Sequence, residues 1–227
     1  MGKKKVLFVG ADPYPPYQYI DDDGKIKGLD FEVIRDIIDK MGYDPVFIIK
    51  EWSVIEELLN NKRLDMVFQV TKTPEREKRY YFSEKLRDAI EVIITSKEDV
   101  PSFTSMEEFI KYIVGGNLKL GVMKGYRYGE PIDSIPEENK ISYTSTREIL
   151  DAVSSRQVDF GIIDLGILKY YVKKNGEKYA DIKVLENLRV IRPLYVVFND
   201  PLLRDEFNKY LRLYGQQLYD TYSRKYL

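Results

Sequence analysis

Glu57-Leu58-Leu59-Asn60-Asn61-Lys62-Arg63-Leu64-Asp65-Met66-Val67-Phe68-Gln69-Val70-Thr71-Lys72-Thr73-Pro74-Glu75-Arg76 is the stretch that decides the fold. An apolar helix end stops at a polar turn, and a strand follows over Leu64–Val70, opened by Asp65. The strand runs out into Gln69, Thr71, Thr73, Pro74, Glu75 and Arg76, where Thr73 is a good N-cap and Pro74 suits the first helical position. The same order returns in Asp151-Ala152-Val153-Ser154-Ser155-Arg156-Gln157-Val158-Asp159. Two like units in one chain read as tandem domains, as two halves of a cleft, or as chance similarity.

Working outward, strands and helices alternate. Lys5–Val9 reads as the first strand, with basic Lys3, Lys4 and Lys5 ahead of it and no signal-peptide h-region. Leu29–Met41 carries a helical stripe at Ile34, Ile37, Ile38 and Met41, stopped by Gly42. Pro45–Ile49 is a strand, and Ser53 with Glu56 has capping-box spacing for the next helix. This β-α-β-α-β order argues for a mostly parallel sheet with right-handed crossovers. A second series follows: strands at Ile90–Thr95, Leu118–Val122 and Val158–Ile163, helices opened by Ser105 with Glu108 and by Ser145 with Glu148, and a helix from Ile167. A glycine-punctuated loop runs from Gly121 to Gly129. Val190–Phe198 returns as a strand, and two C-terminal helices, Pro201–Leu213 and Gln217–Lys225, close the chain.

A length of 227 residues suits two lobes of roughly 100 residues each. With 44% apolar and 32% charged residues the composition is that of a soluble globular protein. The net charge of -1 leaves no footprint for nucleic acid. No apolar run approaches the roughly 18 residues of a membrane span. There is no Cys and no His, which removes thiolate chemistry and the commonest general base and metal ligand. A binding protein without cofactor or metal is the reading this favours over an enzyme.

Ligands of open α/β sheets sit beyond the carboxyl ends of strands. There Arg76 offers a guanidinium fork matched to a carboxylate, beside a helix start with free N–H groups; its alternative is a solvated arginine between Glu75 and Glu77. Asp164 ends the second unit's strand and suits a ligand ammonium, or caps the helix near Leu165. Tyr14, Tyr17, Tyr19 and Trp52 wall a pocket or cover the core edge. The tail tyrosines Tyr210, Tyr214, Tyr219, Tyr222 and Tyr226 have helical spacing and read as packing residues. Asp21-Asp22-Asp23-Gly24 lacks the rest of a calcium loop and reads as a polar turn.

Tyr14-Pro15-Pro16-Tyr17, Gly28-Leu29-Asp30-Phe31-Glu32, Asp65, Thr73-Pro74-Glu75-Arg76, Tyr81-Phe82-Ser83, Gly121-Val122 with Gly125, Val158-Asp159, and Asp164 ahead of Leu168 come in a telling order. In it the chain resembles the polar-amino-acid solute-binding proteins, family 3 of the extracellular receptors that serve ABC transporters. The resemblance implies a type II periplasmic-binding fold: two α/β lobes, 1–92 with 191–227 and 93–190, joined by two hinge strands near Asp88–Lys97 and Leu188–Tyr195. It implies that Arg76, helped by Thr71, binds a ligand α-carboxylate, that Asp164 binds the α-amino group, and that Tyr14 and Trp52 wall the ligand. A periplasmic or extracellular monomer working with an ABC permease is the implied setting.

Three departures stand out. Ala11, followed by Asp12, occupies the place of an acid common in the family. Gly125 is followed by Tyr126, Arg127 and Tyr128 rather than small hydroxyl residues, which puts Tyr126 and Arg127 among the ligand candidates, with Arg127 suited to an acidic ligand or to solvent. The segment from Asp65 to Arg76 is one residue short, which bears on Gln69 and Thr71 as ligand contacts. The sensor domain of a membrane receptor shares this pattern, as do dehydratases; for the latter Glu32, Lys72, Lys124 and Glu130 are the acid–base candidates, none with a recognisable partner.

Overall fold

The computed structural model describes residues 4–227, so Lys3 lies outside the described residues. The chain forms two compact units. One comprises the chain up to Asp88 together with Pro193–Leu227, the other Ala89–Arg192. In the first unit lie β1 (Val6–Ala11), the short hairpin β2 (Tyr19–Ile20) and β3 (Ile26–Lys27), α1 (Leu29–Lys40), β4 (Asp44–Ile49), α2 (Trp52–Asn60), β5 (Met66–Thr71), the single turn α3 (Pro74–Glu77) and β6 (Tyr81–Phe82). Strand β7 (Arg87–Thr95) carries the chain into the second unit. There α4 (Met106–Gly115), β8 (Leu120–Met123), β9 (Lys140–Tyr143), α5 (Thr146–Ser154), β10 (Phe160–Asp164) and α6 (Leu165–Lys174) follow. Strand β11 (Lys183–Phe198) returns the chain to α7 (Pro201–Tyr226).

Each sheet is parallel where strands are linked through helices and antiparallel where the crossing strands join. In the first unit the order is β4-β1-β5-β11, with β4 and β5 parallel to β1 and β11 antiparallel to β5. In the second it is β7-β10-β8-β9, with β10 and β9 parallel to β8 and β7 antiparallel to β10. In the first unit α1 buries Val33, Ile34, Ile37 and Ile38, while Ile55 and Leu59 of α2 pack with Leu64, Val67, Val70 and Val197. Each such side chain contributes roughly 1.5–3 kcal/mol by leaving water.

The internal repeat is structural. Lys62 and Arg156 both sit in the left-handed region, at φ 55° and 59°. Three residues on, Asp65 Oδ2 accepts from Phe8 N and Asp159 Oδ2 accepts from Lys119 N, each at 2.7 Å. The two aspartates thus tie a helix–strand turn to the neighbouring strand in the same way.

Gly28 explains the Gly-Leu-Asp landmark. Its φ is 132°, and a Cβ there would meet the Tyr17 carbonyl oxygen at 2.2 Å. The Pro15–Tyr17 loop therefore lies directly on the start of α1, where Leu29 N donates to Pro16 O and Phe31 N to Tyr17 O. Loop carbonyls replace a side-chain cap, and Gly28 provides none.

Several expectations are corrected. Helix α2 begins at Trp52 with Glu51 as N-cap and no side-chain cap, so Ser53 and Glu56 form no capping box. The Glu51 carbonyl already accepts from Val54 and Ile55, because Trp52 packs against the Ile55–Leu59 cluster and draws the first turn forward. The two expected C-terminal helices are one, running through Gly215. That glycine is buried, and a Cβ there would lie 2.8 Å from Leu211 Cδ1. Beyond it Tyr219, Tyr222 and Tyr226 donate to Asp30, Asp36 and Glu32 of α1, which holds the helix together across the glycine. Strands β2, β3, β6 and β9 are too short for periodicity to detect. By contrast, Ser105 caps α4, and Ser145 with Glu148 forms a full capping box on α5. Asp21 makes the polar turn, its Oδ1 accepting from Asp23 N and Lys25 N.

Candidate functional site

The carboxyl end of β5 gathers most of the candidates in the first unit. Helix α3 is only one turn, and Thr73 Oγ1 accepts from Arg76 N at 3.2 Å. The expected free N–H groups are therefore partly taken by the cap, and the anion-binding capacity of this turn rests on the Arg76 side chain. That side chain is held from two sides. Its Nη1 donates to Thr71 O at 3.0 Å, and its Cζ lies 4.9 Å from the centroid of the Trp52 ring. A half-buried guanidinium oriented by a carbonyl and an aromatic face has lost most of its rotamer freedom before any ligand arrives. Thr71, Trp52 and Arg76 are thus one group.

Gln69 belongs to a second cluster. It sits in β5 at φ 64°, opposite a register shift in β11 between Tyr195 and Val197. A bulge at this point breaks the in–out alternation and re-aims the side chain. Gln69 Oε1 accepts from Gln18 Nε2, which also donates to Asp12 O at 3.0 Å. Gln18 is fully buried and Gln69 is 7% exposed. Tyr14 is buried as well, its ring stacked 6.0 Å from that of Tyr17; Tyr17 in turn lies under the Arg87 guanidinium, 3.6 Å away, which is bonded through Nε to both oxygens of Asp30.

In the second unit Asp164 ends β10 and caps α6. Its Oδ1 accepts from Gly166 N at 2.8 Å and Ile167 N at 3.1 Å. The capping alternative is therefore realised, and it occupies one carboxylate oxygen. Asp164 is paired in register with Glu91 of β7, whose Oε1 is bound to Arg192 Nη2 at 2.7 Å in a buried ion pair. Tyr126 lies over that arginine, 5.2 Å from ring centroid to Cζ, with Tyr128 beside it. Burial pushes the Tyr128 hydroxyl well above the ordinary tyrosine range, and that hydroxyl accepts from Met123 N. Arg127, between Tyr126 and Tyr128 in sequence, is exposed.

Sequence reasoning missed Gln18, Glu91 and Arg192. The last two carried a signal, since each is a charge inside an apolar strand run, but they are distant in sequence and only the fold pairs them. Of the acid–base candidates, Glu32 is bound by Arg35 and Lys225, and Lys72 lies over the Phe82 and Tyr195 rings. Among the described residues no group of three His, Cys, Asp or Glu side chains is placed to hold a metal, and no helix is long and apolar enough to cross a membrane.

The sequence profile of the bacterial extracellular solute-binding proteins, family 3, matches residues 7–227. A probable amino-acid ABC transporter-binding protein of Haemophilus influenzae is 35% identical over 109 residues, 46% of this chain and 42% of its own length. The chain thus spans less than half of that relative. The arginine-binding extracellular protein ArtP of Bacillus subtilis is 25% identical over 228 residues, covering 93% of this chain and 81% of its own. Among solved structures, an ancestral arginine-binding protein bound to arginine superposes with a TM-score of 0.83 at 23% identity, over 99% of both chains. The fold is therefore the two-unit α/β fold of that protein.

Proposed function

From the premise that the chain belongs to the bacterial extracellular solute-binding proteins, family 3, we propose that it captures a free amino acid outside the cytoplasm and delivers it to an ABC transporter. The observation that carries this reading is the Arg76 guanidinium, fixed by the Thr71 carbonyl and the Trp52 face. It is arranged to take an α-carboxylate through its fork. Asp164 keeps one oxygen for an α-ammonium while the other caps α6. Tyr14 and Trp52 are the aromatic candidates of the first unit and Tyr126 that of the second, while Arg127 is exposed. In this reading the protein acts as a monomer without cofactor or catalysis.

The test is a thermal-shift screen over the twenty amino acids and small carboxylates. Ligand at about 100 times its dissociation constant stabilises by roughly 2.7 kcal/mol, which raises the melting temperature by roughly 5–10 °C for a chain of this size. A screen in which no amino acid shifts the transition overturns the reading.

A further inference from the structure

Two buried amides have a direction that the backbone sets. Gln18 Nε2 donates to the Asp12 carbonyl oxygen, which accepts only, so the nitrogen of the Gln18 amide is fixed on that side. The same nitrogen donates to Gln69, so the Gln69 atom facing it is the oxygen. The remaining ends are then determined: Gln69 presents its NH2 and Gln18 presents its carbonyl oxygen. Both of those atoms, Gln69 Nε2 and Gln18 Oε1, are buried with no hydrogen-bond partner among the described residues. A buried donor or acceptor left unmade is destabilising, and Gln69 in addition holds φ 64°, a left-handed conformation that a non-glycine residue keeps only under strain. A bulge, a left-handed non-glycine residue and two orphaned amide ends thus fall in one place.

We propose that this amide pair reads the ligand side chain and selects a primary carboxamide, whose oxygen accepts from Gln69 Nε2 and whose NH2 donates to Gln18 Oε1. The inference rests on the amino-acid reading above and narrows it. A carboxamide supplies one acceptor and one donor side by side, which is what the pair lacks. A guanidinium or ammonium side chain supplies donors only and leaves Gln69 Nε2 unpaired. A carboxylate supplies acceptors only and leaves Gln18 Oε1 unpaired. Ala11 agrees with this, since no carboxylate stands at that position for a cationic side chain.

The experiment is calorimetry of the purified chain with L-glutamine, L-asparagine, L-glutamate, L-aspartate, L-arginine, L-lysine and L-cystine, together with Gln69→Met. The expected result is that one carboxamide amino acid binds about 10-fold or more tightly than its carboxylate counterpart and than the cationic amino acids. Gln69→Met should erase that margin, whereas a purely structural Gln69 would leave the margin in place. Tightest binding of arginine, lysine or cystine overturns the inference and leaves the amino-acid reading standing. Binding of none of them overturns the reading beneath it. The ranking of ligands by the unsubstituted protein decides the matter even where Gln69→Met does not fold.

Discussion

The Arg76 guanidinium lies over the Trp52 indole, 4.9 Å from its centroid, and is tied by Nη1 to the Thr71 carbonyl. Removing this guanidinium should remove binding. If it meets a ligand carboxylate in a desolvated site, Arg76→Ala weakens binding by roughly 2–5 kcal/mol, or about 30-fold to several thousand-fold. Arg76→Lys should fail as well, because an ammonium keeps the charge and loses the planar fork. Calorimetry on the identified amino acid measures both; an unchanged affinity in Arg76→Ala would take Arg76 out of the site.

Substitution separates the capping of α6 by Asp164 from its proposed hold on a ligand ammonium. Asparagine caps a helix about as well as aspartate, whereas alanine does not. Asp164→Asn should therefore leave the unliganded melting temperature near its original value and still lose affinity for amino acids. Asp164→Ala should lose both, with about 1–2 kcal/mol of stability going with the cap. Full affinity in Asp164→Asn would reduce Asp164 to a cap of α6.

The outline of both units was legible because their signals are local. The Asp65 and Asp159 turns, the Ser145–Glu148 capping box and the Thr73-Pro74 start each depend on residues within a few positions of one another. Helix α7 was misread for the opposite reason. Its continuity depends on Leu211 closing over Gly215 and on tyrosines reaching α1, contacts that propensity does not contain. The candidate residues divide in the same way. Arg76 and Asp164 stand at strand ends that can be read in order, while Gln18 reaches Gln69 only because the bulge in β5 turns that side chain toward it. Glu91 and Arg192 meet only once β7 and β11 have folded into place.

Alkaline pH should loosen the α1–α7 contact. Burial, the bond to Asp36 and that carboxylate's charge push the Tyr222 hydroxyl up to about 12. An unfolded tyrosine titrates near 10. Between those values the folded chain keeps a proton that the unfolded chain has lost, so this contribution is full below about pH 10 and disappears as pH rises through about 12. Melting temperature followed by circular dichroism should fall across that window, and Tyr222→Phe should make the fall shallower. Tyr179, also pushed up to about 12 by burial and its bond to Asp151, adds to the slope from the second unit, so Tyr179→Phe with Tyr222→Phe should flatten it further. Equal slopes in all three proteins would exclude these hydroxyls as the source.

The only tryptophan of the chain, Trp52, should report ligand binding directly. It is half-buried, one side against the Ile55–Leu59 cluster and one face under the Arg76 guanidinium. A cation over an indole perturbs its π-system, and partial neutralisation of that cation by a ligand carboxylate changes the perturbation even where the ring itself does not move. Loss of water from the exposed edge when the ligand arrives acts in addition. Emission excited at the red edge of indole absorption, which avoids the 19 tyrosines, should therefore shift or quench saturably, with the dissociation constant that calorimetry gives. In Arg76→Lys the unliganded emission should already differ from that of the original protein, because the planar group over the ring is gone; this separates the cation's contribution from that of the ligand. Trp52→Leu should cost affinity as well, since Arg76 loses the surface that orients it. A flat signal through saturation, with undiminished affinity in Trp52→Leu, would show that the indole packs against the core and takes no part in binding.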